Sequence, residues 1–145
     1  MKILNYILLC MLLAGVSCQD NDPPDDTPIP LNGTTWKLAG SVNAETGILK
    51  EFEPTACAEC FTLTFNSDHE ASGHSIIMDV EIDLLNLDPT KPIQKIYYDE
   101  GGYPDGHDFR MAIFWAESFT VTHKELKLYY NNKNNKAEYL LFKRI

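Results

Sequence analysis

Four groups of residues in this sequence have the types and spacing for chemistry. The first is "CAEC", Cys57 to Cys60. A CxxC pair suits a redox dithiol, half of a zinc site or a tight disulfide. A redox pair normally opens a helix in a βαβ unit, but this one runs into the alternating stretch "FTLTF". A full zinc site needs two more ligands, and no second CxxC or HxxxH supplies them. A Cys57–Cys60 disulfide pinning the loop that enters a strand is therefore expected. It closes a very small ring, so its entropic benefit sits at the low end of the usual range.

The second group is the histidines. His69 and His74 flank "HEASGH", with Asp68 and Glu70 beside them. Both rings could face one cation together with Glu70 or Asp68, but surface turn residues are the expected state and no metal is assigned. His123 falls in a short turn and is expected to be exposed. The third group lies in "YYDEGGYPDGHD", Tyr97 to Asp108, which reads as the longest irregular stretch. Flexible carboxylate-rich loops suit hard cations, yet the spacing matches no EF-hand loop. Long loops at a barrel mouth often carry binding residues. Tyr97, Tyr98, Asp99, Glu100, Tyr103, Asp105, His107 and Asp108 thus form the candidate binding loop. The fourth group, Asp79, Glu81 and Asp83, alternates along one stretch. Paired carboxylates can do acid–base work, but acids opposite an apolar face also describe a solvated strand. No nucleophile elbow, no glycine-rich loop before a helix and no catalytic triad is present in the sequence, so no catalytic residue and no cofactor are assigned.

The elements that must position these residues are strands. Apolar residues recur with a period of two, the mark of a strand with one buried face. Trp36 to Val42 follows an Asn32-Gly33 turn. Phe61, Leu63 and Phe65 alternate with Thr62 and Thr64. Ile76, Met78, Val80, Ile82 and Leu84 share one face. Ile93 to Tyr98 reads as a short strand. Phe109 to Ala116 is apolar on both sides, and is either buried on both faces or partly helical. The run from Glu117 to Asn131 reads as a hairpin turning at His123-Lys124-Glu125. Asn131 to Lys136 is an Asn-rich turn, and Ala137 to Ile145 is the last strand. No amphipathic helix longer than about two turns is expected. Trp36, Trp115, Tyr129, Tyr130 and Tyr139 read as core and rim packing. Seven or eight short strands argue for an all-β, antiparallel barrel or sandwich, and closure removes unpaired edges.

The N-terminus supplies an address. Lys2 precedes an apolar run, Ile3 to Val16, too short to span a bilayer as a lasting helix. Small residues Ala14, Gly15 and Ser17 then lead to Cys18, the pattern of a secretory signal. The stretch resembles a bacterial lipoprotein signal, which implies cleavage before Cys18 and lipidation of that cysteine. Residues 18–30, with four Asp and four Pro, read as an extended acidic tether. The acidic run also resembles the surface-export signal of Bacteroidetes lipoproteins. Residues 1–17 are thus the expected signal, 18–30 the tether and 31–145 the β-barrel domain. Outside the cytoplasm, Cys57 and Cys60 are expected to be oxidised. The net charge of −9 argues against nucleic acid, which needs clustered Lys and Arg.

"LNGTTWKLAG", "FTLTFNSDHEASGH" and "LKLYYNN…EYLLFKR" resemble the META-domain and lipocalin-like small β-barrels of bacterial envelope lipoproteins. The resemblance implies a small barrel and names no activity. The expectation is a lipid-anchored outer-membrane protein, surface-exposed or facing the periplasm. It is monomeric, not an enzyme, and acts through its loops as a binding or structural module. Two other readings are a carrier of a small apolar ligand and an inhibitor of a secreted hydrolase. A hydrolase using the acidic strand face comes last.

Overall fold

The computed structural model describes residues 29–87, 102–131 and 137–145. Cys18, Tyr97, Tyr98, Asp99 and Glu100, the strand expected at Ile93 to Tyr98, and residues 132–136 of the Asn-rich turn lie outside the described residues. Among the described residues eight strands form one antiparallel sheet: β1 (Thr35–Asn43), β2 (Leu49–Lys50), β3 (Thr62–Phe65), β4 (Glu70–His74), β5 (Asp79–Asp83), β6 (Ala116–Val121), β7 (Glu125–Asn131) and β8 (Ala137–Arg144). Seven of them run β5-β4-β3-β1-β8-β7-β6, and β2 pairs with β1 off this path. The sheet curls strongly into a half-barrel, the expected all-β architecture.

Alternation builds the concave face. Trp36, Leu38, Leu63, Phe65, Val80, Ile82, Leu126, Leu128, Leu140 and Phe142 all point into one buried cluster. Ile29 and Leu31, ahead of β1, are buried in the same cluster. Polar groups are satisfied as they enter it. The Trp36 indole donates to Thr34 Oγ1 at 2.7 Å, and the Thr34 hydroxyl donates to the Leu31 carbonyl at 2.6 Å. Strand β5 is shorter than the sequence pattern, but Val80 and Ile82 face inward while Asp79 and Glu81 are exposed. This is the solvated acidic face expected of a half-buried strand.

One element departs from expectation. Residues Pro104–Phe114 form an α-helix, α1, three turns long. It begins inside the stretch read as irregular and absorbs most of "FRMAIFWA". Proline stands at its first position, where a missing N–H matters least, and Asp105 lies in the first turn. Gly106, Phe109, Ala112 and Ile113 are buried, and the helix packs against β5 and β7. Among the described residues β5 and β6, the two ends of the strand path, do not pair. Helix α1 sits against this open side of the sheet. An edge-to-face column of rings ties it in: Phe52 to Phe61, Phe61 to Phe109 and Phe109 to Phe142, with centroids 5.6, 5.3 and 6.2 Å apart.

Candidate ligand groove

A groove of about 650 Å³ opens at one end of the half-barrel, within the usual size range for ligand sites. Its floor comes from a break in alternation. Strand β1 changes register between Leu38 and Gly40 relative to β8. Such a bulge adds one residue and swaps which parity faces inward. Leu38 points into the core, but after the bulge Ser41 and Asn43 take the concave side, opposite Leu140 and Glu138. Glu138 lies opposite Tyr130 on β7. The Tyr130 hydroxyl donates to Glu138 Oε2 at 2.8 Å. Burial, reinforced by Glu138, pushes the Tyr130 phenol well above its ordinary value, so it acts as a fixed neutral donor.

Two walls close on this polar floor. The β1–β2 hairpin and the segment after it contribute Ile48, Lys50 and Phe52. Helix α1 and its C-terminal cap contribute His107, Met111 and Trp115, four residues apart along one helix face, with Asp108 beside them. The walls are joined at their rim. Lys50 Nζ lies 2.8 Å from Asp105 Oδ1 and 3.5 Å from Asp108 Oδ2, and 5.0 Å above the Phe52 ring. The Asp105 hydrogen bond raises Lys50 above its ordinary value. Burial pushes Asp105 upward, but the Glu53 N–H at 2.8 Å and Lys50 outweigh it, leaving the carboxyl below its usual range.

The candidate binding loop is therefore resolved differently from its sequence reading. His107 and Asp108 line the groove and Asp105 clamps its rim, but all three stand on a helix. Tyr103 is the exposed residue preceding α1 and does not line the groove. Of the residues read as packing, Trp115 lines the groove, Tyr130 packs against the core and also lines the groove, and Trp36 is core; Tyr129 and Tyr139 pair at 5.3 Å on the convex face. Glu138 and Lys50 were not singled out at all. A signal for Glu138 existed: it has the same parity as Leu140 and Phe142 on β8, so it is a carboxylate on an otherwise apolar face.

The other groups lie outside the groove lining. Cys57 and Cys60 form the expected disulfide. Lys37 Nζ donates to the carbonyls of Cys57 and Cys60, closing the loop from the other side. The residues weighed as a possible cation set, Asp68, His69, Glu70 and His74, do not converge on one point. Asp68 accepts the Leu31 and Asn32 N–H groups, and His74 pairs with Asp79 at 3.0 Å. His69, Glu70 and Asp83 are the three residues whose donor atoms lie within 4.8 Å of one another. His69 Nδ1 lies 3.3 Å from Asp83 Oδ1. His123, in the turn joining β6 and β7, is half-buried rather than exposed, with Nε2 shielded from solvent.

No family model matches the chain. It is similar to a Tannerella forsythia protein named "Putative lipoprotein", with 34% identity over 143 residues, covering 98% of this chain and 95% of that protein. Near-full coverage on both sides means that the similarity includes the signal-like N-terminus as well as the groove-bearing domain. The chain belongs to the same family as this lipoprotein-named protein of Tannerella forsythia.

Proposed function

We propose that this protein is anchored to the cell envelope through a lipid on Cys18 and presents its half-barrel as a non-catalytic ligand-binding module. The groove carries the reading: a space of about 650 Å³ with a polar floor and aromatic walls, at the open end of a sheet. Ligand sites have this mixture, an apolar lining with a few placed polar groups. The half-barrel interior is filled by Trp36, Phe65, Phe109 and Phe142, each essentially inaccessible, which favours the groove over the interior as the place for a small ligand. The anchor is supported by the lipoprotein-like signal ending at Cys18 and by the relative's name. A META-like or lipocalin-like ancestry for the barrel, and an outer-membrane location, belong to the same proposal.

The anchor is tested by mass spectrometry of the mature N-terminus and by fractionation. Cys18 is expected to begin the mature chain and to carry acyl groups, each buried CH₂ holding it by roughly 0.8 kcal/mol. Cys18→Ala should move the protein to the soluble fraction; an unchanged membrane fraction with no lipid on Cys18 would reject the anchor. The groove is tested by the fluorescence of Trp115, because Trp36 is wholly buried. Compounds that occupy the groove should shift emission in the wild type and not in Trp115→Phe.

A further inference from the structure

We infer that the anchored protein holds its groove away from the membrane and fills it from the aqueous phase, with a water-soluble molecule that has one apolar face, and not with a lipid of the bilayer that carries it. This rests on the Cys18 anchor and on reading the groove as a ligand site, and adds the phase that supplies the ligand. The chain's point of entry into the domain carries the inference. Ile29 and Leu31 are buried in the core. The Leu31 and Asn32 N–H groups donate to Asp68 Oδ1 at 3.0 and 3.1 Å, in the turn between β3 and β4. The Gly33 N–H donates to the Phe65 carbonyl, and the Ile145 N–H to the Thr35 carbonyl. Entry point and C-terminus therefore share the end of the half-barrel where β1 begins. The groove lies where β1 finishes: Ser41 and Asn43 line it, and Glu138 at the start of β8 stands opposite Asn43. One end of the sheet receives the tether and the other holds the groove.

Lengths decide how firmly this holds. Strand β1 has nine residues, and at about 3.3 Å per residue its ends stand roughly 26 Å apart. From Cys18 to Ile29 the chain can reach at most roughly 40 Å when fully stretched. A leaning domain would rest a side of the half-barrel on the bilayer and still keep the far end clear. To lay the groove on the bilayer the domain would have to invert. The linking residues would then have to run back along the whole of β1 and past the groove rim, which takes most of their reach. Such stretching forfeits their conformational freedom, whereas the upright placement does not require it. The lining agrees. An acyl chain laid over Asn43, His107 and Asn131 would strip them of water and return no hydrogen bond, which is unfavourable. A water-soluble molecule with hydrogen-bonding groups on one side and apolar surface on the other answers both that floor and the Met111 and Trp115 wall.

The test uses the lipidated full chain in phosphatidylcholine vesicles, once with plain and once with brominated acyl chains, whose bromines quench a nearby indole. Trp115 emission is taken as the difference between wild type and Trp115→Phe, because Trp36 is wholly buried. It should be equal in the two kinds of vesicle, while acrylamide in the water quenches it. A second measurement puts the donor at the opposite end. Leu85 is 73% exposed and follows Leu84, whose N–H donates to the His69 carbonyl beside the entry point. With a dansyl headgroup acceptor in the bilayer, the indole of Leu85→Trp, made in the Trp115→Phe background, sits a strand length lower and should transfer energy at least about twofold more efficiently than Trp115. Ile145→Trp, 72% exposed at the same end, serves if Leu85→Trp lowers the melting temperature. Quenching of Trp115 by brominated lipid would overturn the inference, whether the groove faces the bilayer or has taken up a lipid. Transfer from Trp115 equal to or above that from Leu85→Trp would overturn it as well. Both results leave the anchor and the groove reading standing. A chain that does not stay with the vesicles would remove the anchor, and this inference with it.

Discussion

Asp105 does two things at the start of α1. One carboxylate oxygen takes the Lys50 ammonium and the other the Glu53 N–H. It thereby fastens the first turn of the helix to the segment following β2. An acid in the first turn also suits the helix dipole. Asp105→Asn should lower stability by about 1–2 kcal/mol at pH 7. Because the folded carboxyl lies below its ordinary value, the stabilisation is present above the usual Asp pKa of about 4 and is lost as pH falls through the lowered one. Urea denaturation at pH 7 and near pH 3 should show the wild-type advantage shrinking at the acid end. An advantage constant across that range would mean that packing, not the carboxylate, holds the turn. At this scale the sequence was partly legible. The CxxC spacing pointed to the disulfide, and the stretch Tyr97 to Asp108 contained His107 and Asp108, which line the groove, and Asp105 at its rim. Their roles were not legible, because roles depend on partners such as Lys50 and Glu53, more than fifty residues away.

Strands read well because each has one wet face and one dry face. β1, β7 and β8 lie close to their expected places for that reason. Helix α1 did not, and the cause is physical. It is packed on several sides, so its apolar residues form no single stripe. "PDG" is turn chemistry in most settings. Tyr103 at the cap makes no side-chain hydrogen bond to the helix, so the usual N-terminal signature is missing. The available clues were Pro104 at the first position and the run Phe109 to Ala116, whose apolar residues on both faces left a partly helical reading open. The β1 bulge was equally silent, since it is defined by pairing with β8. Close pairing also leads to a sharp expectation for β4. A Cβ placed on Gly73 would collide with the Thr62 carbonyl of β3, and backbone cannot swing aside as a side chain can. Gly73→Ala should destabilise by about 2–3 kcal/mol. The exposed Glu81→Gln on neighbouring β5 should stay within about 0.5 kcal/mol. Thermal melts of the two variants make the comparison, and equal melting temperatures would mean that β3 and β4 have slack.

At the level of the molecule, the period-two pattern identified a curled antiparallel sheet but not what occupies the side where β5 and β6 do not pair. Closure depends on the matching of distant strand edges, and no local pattern encodes that. Here α1 fills the open side with side chains. Phe109 is fully buried, with its ring edge-on to Phe61 and Phe142. It joins the β3 entrance to β8 through the helix, and the same helix carries His107, Met111 and Trp115 to the groove. Core and site therefore share one element. Phe109→Ala should cost about 3–5 kcal/mol, the range for truncating a buried aromatic. It should also broaden or shift Trp115 emission as the groove wall loosens. Phe114→Ala removes a half-buried ring that packs edge-on against Trp115 at 5.4 Å. It should perturb the same emission with a loss of only about 1–2 kcal/mol. Denaturant unfolding with fluorescence on both variants separates the two roles. If Phe109→Ala unfolds within about 1 kcal/mol of wild type, α1 is a surface cover and the half-barrel stands without it.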